Sequence, residues 1–320
     1  MSFYKGKNVL VTGAAGIAGH STVKKLLDLG ANVRATVFTS KKLNIPDNPR
    51  LEIVKCNLHS YDQCLQITKD MDIVFNLVAY IRGAKSQVDA PINLVRNNIV
   101  PAVNMMDASV KSKVDRFGFI GSSTMYPDVE YPVLETEAFS DEPHPAYTGV
   151  GWMKRYSEKV IEHFNDISNT KFAIVRTTAM YGPHDSFNER GHVIPQLILK
   201  ADKGLNPFPV WGDGSQVRDF VHVDDVIDAL LLVTEKNPTA TAYNVASGTP
   251  TTVKELVETI VGAYGYNPKI EYDITKPSMI PKRLVNVSKI KDDLGWEAKT
   301  NLKSGIEDTV NWYRSNKHLN

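Results

Sequence analysis

Residues 9–19 read Val-Leu-Val-Thr-Gly-Ala-Ala-Gly-Ile-Ala-Gly. An apolar run of strand length ends in three glycines at three-residue spacing and continues into a helix-period segment, Ala18 to Leu29. Gly13, Gly16 and Gly19 permit a tight turn. They also let backbone N–H groups approach an anion at the helix N-terminus, where orphan donors and the macrodipole favour negative charge. A glycine triplet alone constrains little. Between a buried strand and a helix, at the head of a βαβ series, it points to the pyrophosphate of a dinucleotide. Gly13, Gly16, Ile17 and Gly19 are the expected contacts.

The rest of the first half repeats this rhythm. Asn8 to Thr12, Val33 to Phe38, Leu51 to Cys56, Ile73 to Val78, Arg116 to Gly121 and Lys171 to Arg176 have strand length and strand composition. Ala18 to Leu29, Pro91 to Val110 and Met153 to Phe164 carry apolar residues at three- and four-residue steps, as half-buried helices do. Strands alternating with helices predict an α/β fold, a Rossmann-type doubly wound parallel sheet. After Gly182 the pattern loosens into Gly- and Pro-rich stretches, then a strand-like Arg218 to Val223, a helix at Val226 to Val233 capped by Asp225, a strand from Tyr243, and helices at Val253 to Tyr264 and Leu302 to Arg314. The expected division is a dinucleotide-binding part over 1–180, with 215–242 returning to it, and a smaller, interleaved C-terminal α/β substrate domain over 181–214 and 243–320.

Composition excludes several classes. The chain has 320 residues, 42% of them hydrophobic, and a formal net charge of +1. That balance offers no basic face for nucleic acid or an anionic membrane. Two cysteines, Cys56 and Cys64, are too few for a disulfide scaffold and lack metal-ligand spacing, so no metal is expected. No apolar run approaches the length of a membrane span, and the N-terminal apolar stretch is too short and glycine-broken for a signal peptide. The expected location is cytoplasmic.

The second strand should end in an acid if a ribose 2′-hydroxyl is bound. Here it runs into Thr39-Ser40-Lys41-Lys42. Hydroxyls and lysines suit a 2′-phosphate, so Thr39 and Lys41 favour NADP, with NAD the alternative and a solvated helix start the plain reading of the lysines. Asn57 and Leu58 fall where an adenine-contacting loop would lie, and Val78 and Ala79 follow the fourth strand beneath the cofactor.

Further motifs carry a resemblance. Gly13, Gly16 and Gly19, the run Gly121-Ser122-Ser123-Thr124-Met125-Tyr126-Pro127, Arg176, Tyr181-Gly182-Pro183-His184-Asp185, and Arg218-Asp219-Phe220-Val221-His222-Val223-Asp224-Asp225 resemble the extended short-chain dehydrogenase/reductases acting on nucleotide sugars. Ser186-Phe187, His192-Val193-Ile194-Pro195, Val210-Trp211-Gly212-Asp213-Gly214 and Lys276-Pro277 with Pro281-Lys282-Arg283 are most similar to those members that epimerise and reduce GDP-linked 4-keto sugars. The resemblance spans nearly the whole chain.

It implies hydride exchange at a sugar C4, aided by a serine, a tyrosine and a lysine. Ser122 and Lys154 match the serine and the lysine. It implies a cysteine and a histidine as epimerisation groups; His192 matches, and Thr124 stands in the cysteine position. Arg218, Arg283 and Lys200 match places that hold the nucleotide diphosphate, and Trp211 is a candidate to stack on a base, with simple packing the plain reading. A homodimer through Pro91 to Val110 and Met153 to Phe164 is implied as well.

The tyrosine departs from the pattern. The family places it four residues before the lysine, where this chain has Val150. Tyr147 stands seven before Lys154, which in a continuous helix separates the Cα atoms by about 10 Å along the axis against about 6 Å for four. Tyr147 is expected to act as the acid/base from this displaced register; the rival is a site without that group. A threonine hydroxyl is too weak an acid to replace the cysteine, and Thr124-Met125 lacks the Asp-Glu pair of sugar dehydratases. What is left is C4 chemistry, namely reduction, 4-epimerisation or oxidation, against a non-catalytic dinucleotide sensor or scaffold.

Overall fold

The computed structural model describes residues 2–38, 43–80, 91–188, 191–276 and 280–317. Thr39 and Lys41 lie outside them. Seven parallel strands form the main sheet: β1 (Asn8–Thr12), β2 (Asn32–Val37), β3 (Leu51–Lys55), β4 (Ile73–Asn76), β5 (Arg116–Ser122), β6 (Lys171–Thr177) and, after a long excursion, β10 (Ala242–Val245). Their order is β3-β2-β1-β4-β5-β6-β10. This is the Rossmann-type doubly wound sheet expected.

Helices cover both faces, which is why the strands read as continuous apolar runs. Val9 and Val11 pack with Val23 and Leu26 of α1 (Ile17–Asp28) and Val226 and Leu230 of α6 (Val223–Lys236). Leu10 points the other way, with Phe117 and Phe172, toward Met105 and Met106 of α3 (Pro91–Lys111) and Ile161 of α4 (Thr148–Ile167). Each fully buried side chain of this kind contributes ~1.5–3 kcal/mol. A shorter helix, α2 (Tyr61–Thr68), lies on the same side, capped by Ser60.

Chain growth starts at β1 toward β2 and β3, then reverses to β4. Parallel sheets open a crevice at the strand C-termini where this reversal occurs. The glycine turn after β1 and Leu77–Val78 after β4 both lie at that point.

The smaller unit holds β7 (Ala179–Tyr181), β9 (Val217–His222), β11 (Pro250–Thr252) and β13 (Lys282–Arg283) in one sheet, and β8 (Phe208–Trp211) paired with β12 (Ile270–Asp273) in another. Its core lies under α5 (Val193–Asp202), α7 (Val253–Tyr264) and α9 (Leu302–Ser315); α8 (Ser288–Leu294) instead sends Ile290 into the core of the main sheet. Two strands sit differently from the expected division. β9 falls in the 215–242 segment yet pairs only with strands of the smaller sheet, and the boundary at 242/243 cuts β10, an edge strand of the main sheet.

The expected cap is corrected too. Helix α6 begins at Val223 with His222 as its N-cap, whose Nδ1 accepts from the Asp224 N–H at 3.3 Å. Asp225 instead accepts from the N–H groups of Lys299 and Thr300, each at 3.0 Å. Among the described residues no helix is long and apolar enough to cross a membrane.

Candidate active site

Gly13 takes φ +66°, and a Cβ there would meet Leu77 O and Val78 N at 3.0 Å. A Cβ on Gly19 would lie 2.2 Å from Gly13 O, so helix and turn touch through bare backbone. Gly16 caps α1 without a side-chain bond, and the first turn carries no acid. The N-terminus is therefore an open, positively polarised cradle, and these residues fit a pyrophosphate. Thr12 Oγ1 donates to Asn76 Oδ1 at 2.7 Å and accepts from Leu77 N–H at 3.1 Å, tying the ends of β1 and β4.

The other expected cofactor positions divide. Ile17, Val78 and Asn57 are half-buried and Ala79 is exposed. The Asn57 side chain accepts from His59 N–H, and its own N–H donates to Gln63. Leu58 packs into the core beside α2 and α3. Asn98 was not read from the sequence. Its Nδ2 donates to Tyr80 O at 3.0 Å and its Oδ1 accepts from Tyr80 N–H at 2.9 Å, clamping the chain beyond β4. No local pattern marks one asparagine of α3 for this role.

Ser122 ends β5, and its Oγ accepts from the Thr124 hydroxyl at 3.0 Å and from the Thr124 N–H at 3.2 Å. On α4, Lys154 donates from Nζ to Ile120 O at 2.8 Å and lies over the Phe119 ring. The side chain as a whole keeps some exposure, but its ammonium is desolvated between strand and helix, which lowers its pKa to about 8 against the pull of Glu158. Glu158, one turn on, is 1% exposed and grips Arg176 through Nη2 at 2.7 Å and Nε at 3.1 Å. With that carboxylate committed to a guanidinium, it only partly offsets the desolvation of Lys154. Gly121 makes room for the pair, since a Cβ there would stand 2.8 Å from Glu158 Oε1.

Tyr147 is half-buried at the N-cap of α4, at the end of a 3₁₀ turn over Pro145–Tyr147. Arg218 and Arg283 occupy paired positions on β9 and β13. Arg218 spends its Nη groups on the carbonyls of Val217 and Ile280. Arg283, 6% exposed, donates from Nη1 to Pro127 O at 2.7 Å, while its Nε and Nη2 are buried with no partner among the described residues. Burial disfavours the charge on both, and the Arg218 charge lowers the Arg283 pKa further.

Elsewhere, Lys200 donates to Pro209 O at 2.8 Å and its pKa is lowered by burial. Trp211 is exposed at the end of β8. His192 is exposed at the N-cap of α5, near Asp185, a buried carboxyl whose Oδ2 has no hydrogen-bond partner among the described residues. Desolvation raises the Asp185 pKa, and His192 opposes the rise. Among the described residues no group of acids, histidines and cysteines could hold a metal ion.

Comparison with known proteins agrees with this arrangement. Residues 9–246 match the model of the NAD dependent epimerase/dehydratase family. The chain is similar to GDP-L-fucose synthase of Escherichia coli (strain K12), 27% identical over 97% of this chain and 98% of that protein. It is also similar to a putative UDP-glucose 4-epimerase of Methanocaldococcus jannaschii, 30% identical over 96% and 99%. The solved structure of an epimerase from Methanothermobacter thermautotrophicus superposes with a TM-score of 0.90 at 26% identity, covering 99% of this chain and 94% of that one. This chain belongs to the NAD dependent epimerase/dehydratase family and is an enzyme that works with NAD or NADP.

Proposed function

We propose that the chain carries out redox chemistry at C4 of a nucleotide-diphosphate sugar, as a reductase or a 4-epimerase. The observation that carries the substrate class is Arg283, whose buried, unpartnered Nε and Nη2 stand beside Arg218 at the loop leaving β5. Two neighbouring guanidiniums, one of them with orphan buried donors, are costly unless an anion neutralises them, and a diphosphate offers the matching acceptors. Lys200, bonded to Pro209 O of β8, and Trp211 at the end of that strand are assigned to the nucleotide in this reading.

The dinucleotide supplies hydride exchange when bound at the glycine turn. The chain's own residues handle the oxygen. In reduction, carbon gains a hydride and the carbonyl oxygen gains a proton. Ser122 donates its hydroxyl to that oxygen, and the Lys154 ammonium, with a pKa brought down to about 8, provides the charge and the proton behind it. Tyr147 acting as donor from its displaced register is the competing assignment. Thr124 offers no base for inversion at C3 or C5, so His192 stands without a partner for double epimerisation.

A GDP-linked sugar is favoured by the similarity to the fucose synthase, and NADP by Thr39 and Lys41, which precede the described part of the chain at Leu43. Exposed Ile92 on α3 and Trp152 and Tyr156 on α4 support a homodimer through these helices; a monomer mass by light scattering would remove that reading. Val150 at the tyrosine position favours a second reading, binding without turnover. Mixing the purified protein with NADPH or NADP and a panel of GDP-, UDP- and dTDP-sugars separates the two. A change in nicotinamide absorbance with one of them is expected; sugar binding with no change for any would favour the sensor.

A further inference from the structure

We propose that Thr124 is a positioning residue for Ser122: it fills the acceptor sites of the serine oxygen and so leaves the serine hydroxyl a donor only. The inference rests on the redox reading above. Ser122 ends β5 and is the N-cap of a 3₁₀ turn over Ser123–Met125. Its Oγ accepts twice from one residue, from the Thr124 N–H at 3.2 Å and from the Thr124 hydroxyl at 3.0 Å. A hydroxyl oxygen has two acceptor lone pairs and one hydrogen. With both lone pairs engaged Ser122 can only donate, and among the described residues no acceptor takes its hydrogen.

The turn is fixed by the helix that carries Lys154. A Cβ on Gly151 of α4 would lie 2.9 Å from Thr124 O, so the glycine lets the helix close directly on the Thr124 backbone. One turn further along α4, Arg155, 2% exposed, donates from Nε to Met125 O at 2.9 Å. Between these contacts Lys154 donates to Ile120 O at 2.8 Å, two residues before Ser122. Residues three and four apart share one side of a helix. A single rigid element therefore sets the strand end, the serine cap and the lysine together.

The chemistry of reduction uses a donor held in this way. The sugar oxygen gathers negative charge as hydride reaches the carbon, and a hydroxyl that only donates stabilises that charge without competing for the proton behind it. A serine free to turn among its staggered wells would point its hydrogen elsewhere part of the time. The same hydroxyl explains what a threonine does where the resembling enzymes have a cysteine. It orients a neighbour and needs no change of protonation, whereas a thiol is a weak donor and would hold the serine less firmly.

The test is a double-mutant cycle of Thr124→Val, which keeps the N–H and the side-chain shape but removes the hydroxyl, with Ser122→Ala; Thr124→Ser is the conservative variant. Turnover of GDP-, UDP- and dTDP-sugars is read by nicotinamide absorbance for the 4-keto forms and by NMR of the sugar for 4-epimers. One neutral hydrogen bond is worth a factor of roughly three to ten. We expect kcat of Thr124→Val to fall by that factor with both KM values unchanged, and Thr124→Ser to recover most of it. In the Ser122→Ala background, where there is no hydroxyl to orient, Thr124→Val should cost nothing further. An unchanged kcat in Thr124→Val, a loss that Thr124→Ser shares, or the same loss in both backgrounds would overturn the proposal and leave the redox reading standing. A wild-type chain that turns over none of the sugars would overturn that reading and this proposal with it.

Discussion

At Gly19 the carbonyl of Gly13 lies 2.2 Å and the Cα of Ala14 2.7 Å from where a Cβ would stand, and neither backbone atom can yield cheaply. At Gly16 the nearest such atom is 3.4 Å away, an ordinary contact. The two glycines look alike in sequence and differ in what they do. Gly19→Ala is expected to cost about 1–3 kcal/mol by overpacking and to weaken dinucleotide binding severely, because the turn must open to admit the methyl. Gly16→Ala should leave stability nearly unchanged. Thermal melts with and without NADPH check both; equal melts for the two variants would contradict the account. Tyr147 marks the limit of residue-level reading. Spacing along the chain places it seven residues from Lys154, but the turn closed by His144 sets its direction, and nothing in the spacing reveals that Asp128 anchors His144.

Helix α4 shows what was legible in an element. Its apolar period is clear from Met153 onward, while Gly149 and Gly151 obscure its start, so the helix begins five residues earlier than expected, at Thr148. Gly151 is required by packing: a Cβ there would lie 2.6 Å from Pro143 Cβ. α7 matched its expected span because Thr252 and Glu255 form a capping box and Gly265 ends it in the left-handed region. Short or partly polar elements such as α2, and the two-residue β13, carry too little period to be seen, and β13 is the strand that brings Arg283 beside Arg218. Between α4 and β6 the Glu158–Arg176 pair is buried on both sides. Glu158→Gln would leave a buried guanidinium without its counter-charge, expected to destabilise by about 3 kcal/mol or more. Denaturant midpoints measure this; a change within a few tenths of a kcal/mol would show that Arg176 finds another partner.

For the whole molecule, a near-neutral chain meets anionic ligands with local devices: an uncapped helix end at the sheet's switch point and a pair of arginines on a second sheet. The glycine turn and strand rhythm made the first device readable. The second was readable only as a resemblance, because Arg218 and Arg283 are far apart in sequence and meet through β9 and β13 pairing. The interleaving has the same cause: β10 rejoins the main sheet after β7 to β9 have left it, so no composition break marks a boundary. The central claim is hydride exchange at a sugar C4 between these two devices. Its most direct test uses NADPH deuterated at the nicotinamide C4 with the GDP-4-keto sugar, followed by NMR of the sugar product. The account predicts deuterium at the sugar C4; unlabelled sugar recovered from a protein that binds both partners would contradict it.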